Sequence, residues 1–294
     1  MQKKKRVLPS ITLTTALIFC NGCGDSTNLD PVTWETYNSE PAGIHSEQTL
    51  LPITLRLNGE KGNLLYLGVE HTACTRHPNL MQIERAWNHF HPTIAFSEGG
   101  VWPLCDSREE AIRRYGEGGL VCYLAARDSV PIRSLEPKRT DEVRRLRRYF
   151  TAKEIKLYYA LRNIPQCSKS CNAEIRMEDY LTSMLNCINN VRRLNGAPHT
   201  IEELEFSVRR LLPALDDWRK IPAEWFDPAQ DHTFLNRIAR RSAEIRDQHM
   251  IMQLTAAVHR GDRVFAVAGY HHVEMQTKAL SRRIEKSEPL ITGF

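Results

Sequence analysis

The sequence predicts a mixed α/β fold, in which a central sheet is flanked by helices. Two observations favour it: short apolar runs typical of buried strands alternate with segments of helical periodicity, and several of those runs end at a glycine. A third observation marks a break in the pattern, because residues 140–194 are dense in Arg, Lys and Leu and almost free of glycine. We interpret residues 140–232 as a helical insertion between two halves of the α/β domain, 50–139 and 233–294.

The composition is that of an ordinary globular protein, with 294 residues, 41% of them hydrophobic, and a mean hydropathy of −0.43. It excludes collagen-like, low-complexity and wholly disordered chains. No internal stretch approaches the roughly 20 apolar residues of a spanning helix, which excludes a multi-span membrane protein. The net charge of +5 includes four basic residues at positions 3–6. If these are removed by processing, the mature chain is nearly neutral, and we expect no nucleic-acid partner.

The amino terminus has the layout of an export signal. The basic residues 3–6 precede an apolar stretch at residues 11–20, and Asn21-Gly22-Cys23 follows. Gly22-Cys23 resembles the end of a bacterial lipoprotein signal peptide. This resemblance implies that residues 1–22 are removed and that Cys23 is lipidated, as with palmitate. The protein would then be anchored to a membrane of the bacterial cell envelope and face the periplasm or the exterior.

The signal departs from the lipoprotein pattern at Cys20, where such signals usually carry an aliphatic residue. An ordinary cleaved signal or an uncleaved anchor is the alternative. After Cys23, residues 23–49 are rich in Ser, Thr, Asn, Pro and acids without periodicity, and we interpret them as a flexible tether.

Export implies an oxidising compartment, in which cysteines form disulfides. Six cysteines remain in the exported chain and allow 15 pairings. We expect a bridge among the last three of them, with a zinc site as the rival because two are spaced Cys-x3-Cys. The six are Cys74, Cys105, Cys122, Cys167, Cys171 and Cys187.

Local patterns predict the elements of each segment. In the first half, alternation predicts a hairpin over residues 51–68, followed by helices and short strands in turn. In the insertion, Thr151-x-x-Glu154 and Thr200-x-x-Glu203 predict capping boxes at helix starts. In the second half, a helix over 233–260 is expected to stop at Gly261. The remaining predictions are helices at 80–90, 107–127 and 273–285, and strands at 93–97, 130–135 and 263–269.

The insertion also contains a run of arginines. We interpret this run as a solvated helix face, with binding of anionic lipid or another polyanion as the alternative. The run comprises Arg144, Arg145, Arg147 and Arg148.

The most informative pattern is a repeated strand end. One apolar run closes with Gly68-x-x-His71, and a second one, far along the chain, closes with Gly269-x-x-His272. Two further runs close with Glu98 and Glu136. Open α/β sheets bind ligands at the carboxyl ends of their strands. These histidines and acids therefore predict a metal site or a general acid/base set, although any one histidine by itself is more often a packing residue.

With Arg246, on the helix before the second motif, these residues resemble the superfamily of TraB, GumN and Tiki proteins. Erythromycin esterases and ChaN-type haem-binding lipoproteins are its more distant relatives. The resemblance covers roughly residues 60–137 and 234–285. Leu135-Glu136 is similar to a pair that ends a strand in the GumN branch. The esterase branch has its glutamate directly after the first glycine, whereas this chain has Val69 there.

The resemblance implies two related halves whose histidine motifs converge on one cleft. It further implies an exported hydrolase of peptide or ester bonds. The Tiki branch is associated with metal-dependent peptide cleavage, and the leading prediction is therefore a metal-dependent hydrolase, with manganese or cobalt first and zinc or iron as alternatives. The esterase branch uses a histidine. The substrate is then a peptide or a small molecule.

The resemblance also assigns roles to single residues. His71, Glu98 and His272 would hold the metal or, without metal, position and activate a water. Glu136 would be a further ligand or the general base. Arg246 would bind a substrate carboxylate or the oxyanion. The other role, compatible with the first, is a buried ion pair that orients Glu98 or Asp247.

Two residues beside the second motif, Tyr270 and His271, are candidates for substrate binding, and His271 competes with His272 as the working histidine. An alternative from another class is a haem-binding lipoprotein for iron uptake, with Tyr66, Tyr270 or His271 as the ligand. A non-catalytic family member is the third reading. No motif of a serine hydrolase, zincin, P-loop protein or dinucleotide-dependent dehydrogenase is present.

Overall fold

The computed structural model describes residues 52–167, 177–194 and 198–284, together with the short strands Lys286–Ser287 and Ile291–Thr292. The expected signal peptide, the lipidation site Cys23 and the tether lie outside the described residues. The same holds for Cys171 and for the side chain of Cys167.

The predicted hairpin is confirmed. Strand β1 (Ile53–Asn58) pairs antiparallel with β2 (Asn63–Val69), with Ile53 opposite Gly68 and Asn58 opposite Asn63. Every residue of β2 after Asn63 is buried, as expected for a strand covered on both faces.

Three further strands extend the mixed sheet beyond the hairpin and confirm the α/β class. They are β3 (Ile94–Ser97), β4 (Ile132–Ser134) and β5 (Arg263–Gly269). The spatial order is β4-β3-β5-β2-β1-β6, where β6 is Lys286–Ser287, and β7 (Ile291–Thr292) also pairs with β1. Strand β5 runs parallel to both β2 and β3. The two strands that carry the histidine motifs are therefore neighbours.

The helices follow the predicted segments closely. In chain order they are α1 (Pro78–Phe90), α2 (Arg108–Arg127), α3 (Arg139–Leu146), α4 (Ala152–Leu161), α5 (Ile164–Cys167), α6 (Met177–Asn189), α7 (Ile201–Leu211), α8 (Phe234–His259) and α9 (Tyr270–Arg283). Two 3-10 turns, Trp218–Lys220 and Ala223–Phe226, separate α7 from α8. The last helix begins three residues earlier than expected, directly at the end of β5.

Side-chain caps explain where several helices begin and end. The capping box of Thr151 with Glu154 is present in full. At α7 the hydroxyl of Thr200 caps Glu203 N as predicted, but the Glu203 carboxylate accepts from His199 N instead of Thr200 N. Helix α8 ends as predicted before Gly261, whose φ of +98° is favourable for glycine.

Helices cover both faces of the sheet. One face packs against α1 and α2 through Leu80, Ile83 and Leu124, among others. The opposite face packs against α9 and the second half of α8, with Met250 and Leu254 at the contact. The apolar area removed from water on both faces holds the strand ends in fixed positions.

The insertion forms a separate apolar cluster that shares one helix with the sheet. Helices α3, α4, α6 and α7 pack around residues such as Leu146, Leu157 and Leu185. The first half of α8 belongs to this cluster through Leu235 and Ile238, although residue 233 was the predicted boundary. The packing boundary therefore lies inside α8. In the described part of the chain, no helix is both long and apolar enough to cross a membrane.

Four of the six cysteines expected to form disulfides are free thiols in this structure. They are Cys74, Cys105, Cys122 and Cys187. Cys105 lies close enough to Cys122 to act electrostatically on its buried thiol, whose pKa is raised by burial to about 11. Since Cys171 and the side chain of Cys167 are not described, the disulfide pairing stays a prediction.

Candidate functional site

The predicted site residues follow the carboxyl ends of four adjacent strands. In the parallel registers, Val69 lies beside Gly269, and Ser97 lies beside both Val267 and Ser134. The segments that leave β2, β5, β3 and β4 therefore begin at one edge of the sheet. This edge is where open α/β sheets bind ligands.

Glu98 is the centre of the site. Its Oε2 accepts a hydrogen bond from Gly269 N at 2.7 Å. Its Oε1 lies 2.8 Å from Arg246 Nη2 and 3.3 Å from His272 Nε2. Burial by itself would raise the pKa of Glu98. The His272 and Arg246 cations and the Gly269 N–H nevertheless hold it well below its usual range.

Arg246 joins two carboxylates at this edge. It binds Glu136 in a bidentate fork, with Nε–Oε2 and Nη2–Oε1 distances of 2.8 and 2.5 Å, and it also donates to Glu98. Of the two roles predicted for Arg246, the structure shows a largely buried ion pair, with Glu98 rather than Asp247 as its partner. The charge of Arg246 also keeps the pKa of the buried Glu136 carboxyl lowered, against the effect of burial.

His272, and not His271, is the second histidine of this network. Its Nδ1 lies 2.7 Å from Asp247 Oδ1, and Asp247 also accepts from Gln276 Nε2. Burial lowers the pKa of His272, but the charges of Asp247 and Glu98 raise it to about 10. The side chain is therefore an imidazolium at neutral pH.

Tyr270 and His271 form an aromatic pair directly before His272 in the chain. Both belong to the first turn of α9, where their ring centroids are 4.0 Å apart. The His271 side chain is 70% exposed, and its Nδ1 lies 3.8 Å from Glu274. Their part in substrate binding stays a prediction.

His71 is the accessible member of the site. Its side chain is 64% exposed, while its Nδ1 is held by the Glu117 carboxylate. Its Nε2 points to the end of β5, since a Cβ on Gly269 would lie 3.1 Å from His71 Nε2 and 3.5 Å from Glu98 Oε2. The hydrogen bond that His71 Nδ1–H donates to the Glu117 carboxylate raises the pKa of His71.

Glu117 was not predicted. It reaches His71 because α2 has a kink at Gly116, where φ is +59°. A Cβ at Gly116 would lie 2.9 Å from Thr72 O, so only glycine allows the helix to approach the end of β2 this closely. Glu117 Oε2 also accepts from Thr72 N at 3.3 Å. The glycines of α2 are the feature of the sequence that relates to this contact. From the sequence alone, however, they predict only a weakened helix and not a contact with His71.

The predicted metal set suits a divalent ion in the chemistry of its donors. Carboxylates hold Nδ1 of both His71 and His272, an arrangement that often accompanies histidine ligands. In the described ranges, however, no group of three or more His, Cys, Asp or Glu side chains is placed to hold an ion. His272 Nε2 faces Glu98 at 3.3 Å. A metal ion at this position would displace the proton of His272 Nε2, because only the neutral imidazole coordinates a metal.

Tyr66, one of the predicted haem ligands, is fully buried on the sheet face covered by α8 and α9. Burial, with Glu98, Asp247 and Glu136 nearby, raises the pKa of Tyr66 well above its usual value. Its ring therefore supports the floor of the site and does not face an open haem slot. Tyr270 and His271 are the remaining candidates for that alternative.

A separate surface cavity of about 470 Å³ lies at the amino ends of β3, β4 and β5, on the side of the sheet away from the predicted site. Its lining includes Arg127, which is paired with Asp128. It also includes Arg263, which donates to His91 O at 2.8 Å. Because the protein itself satisfies these cations, the cavity adds nothing to the predicted site.

Comparison of the chain with family models, with curated proteins and with solved structures gives no match. The resemblance to the TraB, GumN and Tiki superfamily therefore stays a prediction, and the function rests on the geometry of the site.

Proposed function

We propose that the protein is a hydrolase of peptide or ester bonds, exported and held at a membrane of the cell envelope by lipid on Cys23. The observation that carries the proposal is the His71–Glu117 pair. An exposed imidazole whose Nδ1–H is held by a carboxylate presents Nε2 as a proton acceptor. This acceptor faces the strand ends at which Glu98, Arg246 and His272 meet.

The reaction begins with a water hydrogen-bonded to His71 Nε2. The imidazole removes a proton from this water as its oxygen adds to the substrate carbonyl carbon. The carbonyl oxygen then carries the negative charge of the tetrahedral intermediate. When the intermediate collapses, His71 returns the proton to the leaving amine or alcohol. Glu117 stabilises the imidazolium during both steps.

The ion network places two cations, Arg246 and His272, among three carboxylates at the same strand ends. His272 Nε2 lies 3.3 Å from Glu98, a longer contact than those that Arg246 makes. This imidazolium is therefore the donor best placed to turn to a developing oxyanion. Arg246 and Glu136 fix Glu98, and Asp247 fixes His272. We assign Glu98, Glu136, Arg246 and Asp247 to positioning.

A metal-dependent hydrolase is the second candidate, favoured by the carboxylates on both histidine Nδ1 atoms. His71, Glu98 and His272 would hold the ion, with manganese or cobalt expected first. A bound ion would polarise the carbonyl and acidify a water.

The test measures release of product by the full chain from a quenched-fluorescent peptide library and from nitrophenyl esters, with and without a chelator. His71→Ala is expected to abolish activity, and Glu117→Gln to reduce it and shift its acidic limb to lower pH. His89→Asn, an exposed histidine on α1, is the matched control. Activity that persists in His71→Ala would contradict the mechanism.

The chelator separates the two candidates. Loss of activity on chelation, restored by manganese or cobalt, would assign the metal-dependent reaction. A Soret band on haem titration that is lost in Tyr270→Phe or His271→Ala would assign the haem-binding alternative. His71→Ala and His272→Ala variants that retain every ligand affinity would support a non-catalytic protein.

A further inference from the structure

Four guanidinium groups meet beside the site. Helix α3 and the turn after it contribute Arg144, Arg145 and Arg148, and α8 contributes Arg241. We call these four residues the arginine cluster. Burial lowers the pKa of Arg145, and the nearby charges of Arg148, Arg241 and Arg144 lower it further. The contacts agree with this grouping, because Arg241 stacks on Tyr149, the residue after Arg148, while Arg145 binds Gln248, two turns after Arg241 on the same face of α8.

Only two of the four residues of the arginine cluster form ion pairs with acidic side chains. Arg144 pairs with Asp141 at 3.0 Å, and Arg241 pairs with Glu244 at 2.5 Å. Arg145 instead donates to the neutral side chain of Gln248. Within the described ranges, Arg148 has no carboxylate partner. The cluster thus retains two uncompensated positive charges, which an anion would neutralise.

The arginine cluster borders the proposed reaction centre. Arg145 lies in the last turn of α3, a helix that begins three residues after Glu136, the bidentate partner of Arg246. His249 of α8 interacts electrostatically with Glu136, Arg145 and Asp141. A ligand that extends from His71 past Glu136 along α3 therefore reaches Arg145 about 9 Å beyond the start of that helix.

An exposed aromatic ring adjoins the same charges. Tyr149 is 60% exposed and directly follows Arg148. The Arg241 guanidinium lies 4.3 Å from the centre of its ring. Stacking on tyrosine, together with the Glu244 ion pair, fixes the position of the Arg241 side chain.

From this placement we infer that the substrate is anionic, with a carboxylate or phosphate group bound by Arg145 and Arg148 while the scissile bond lies at His71. The inference rests on the proposed function and gives it a substrate class. For Arg145 and Arg148, it favours the anion-binding alternative over the solvated-face interpretation of the arginine run.

The test measures binding separately from cleavage. Three hexapeptides carry an uncharged dye and three aspartates, three phosphoserines or three asparagines. Their affinities for the full chain are measured by fluorescence anisotropy at low ionic strength. We expect at least one anionic peptide to bind about tenfold more tightly than the asparagine peptide, since two partly screened charge pairs contribute roughly 1.4 kcal/mol together. The tighter of the two anionic peptides identifies carboxylate or phosphate as the preferred group.

In the double variant Arg145→Gln/Arg148→Gln, we expect the anionic peptide to bind less than about threefold more tightly than the asparagine peptide, because both charge pairs are removed. Arg113→Gln/Arg237→Gln removes two exposed charges elsewhere and is the matched control. Circular dichroism verifies that each variant is folded. Equal affinities of all three peptides for the wild type would overturn the inference. An Arg145→Gln/Arg148→Gln variant that still binds the anionic peptide about tenfold more tightly than the asparagine peptide would also overturn it.

Further measurements distinguish a failure of this inference from a failure of the proposed function. Phosphatidylglycerol vesicles that bind the wild type but not Arg145→Gln/Arg148→Gln, with peptide affinities unchanged, would assign the arginine cluster to the membrane and overturn the inference. Specific binding of an anionic peptide without cleavage of any substrate would count against the hydrolase, while the arginine cluster would stand as an anion site. His71→Ala is expected to abolish cleavage and to retain peptide binding.

Discussion

Replacing Arg246 with methionine tests whether the ion network stabilises the carboxyl edge of the sheet. Arg246 makes three hydrogen bonds to Glu98 and Glu136, and its side chain is only 22% exposed. The substitution keeps the volume of the side chain but leaves two carboxylates, 15% and 13% exposed, without their cation. Removing one partner of a buried pair costs about 3–5 kcal/mol. Because part of Arg246 reaches water, we expect a loss of about 3 kcal/mol.

The assay is urea unfolding followed by circular dichroism at pH 7. Arg237→Met on the same helix removes an exposed arginine, 54% exposed and 3.9 Å from Asp231. It should change the free energy of unfolding by less than about 0.5 kcal/mol. A loss of under about 1 kcal/mol for Arg246→Met would refute the assignment of Arg246 to a stabilising ion network.

The pH dependence provides a second criterion. In the wild type the pKa values of Glu98 and Glu136 are lowered, so their contribution is present above the unfolded value of about 4.3 and is lost as the pH falls through the folded values. The difference between the wild type and Arg246→Met should therefore be largest near neutral pH and shrink in acid. A difference that stays constant down to about pH 3 would contradict this explanation.

Four further predictions concern single contacts. Nuclear magnetic resonance should show His272 still protonated at pH 8, and Asp247→Asn should lower its pKa, because the pKa is raised to about 10 mainly by the Asp247 charge; a wild-type value near 6.5 would contradict this. Because the folded pKa of His272 is raised, its contribution to stability is fully present below about pH 6.5 and is lost as the pH rises towards 10. Urea unfolding midpoints measured across this pH range test this loss. Gly116→Ala should destabilise by about 1 kcal/mol or more through its positive φ and the contact with Thr72 O, and an unchanged midpoint would refute the close approach. Glu117→Gln should lower the pKa of His71, measured by the same resonance method, and an unchanged value would show that the pair is not formed.

The sequence by itself determined the elements and their class. Burial-type runs such as residues 63–69, the capping box at Thr151 and the stop at Gly261 are local patterns, and local hydrogen bonding decides them. Two Gly-x-x-His motifs also sufficed to predict that the strand ends would meet, because parallel strands place their carboxyl ends at one edge.

Only the tertiary structure decided how the site residues are used. Whether Arg246 faces a substrate or Glu136, and whether His271 or His272 enters the network, depends on side-chain directions that spacing does not fix. The Glu117–His71 contact depends on a backbone approach at Gly116 between segments far apart in the chain. Charges from α3 and α8 meet in the arginine cluster only because the insertion packs on α8. Local sequence sets the propensity of each segment, whereas these contacts arise from packing between segments, which no local pattern encodes.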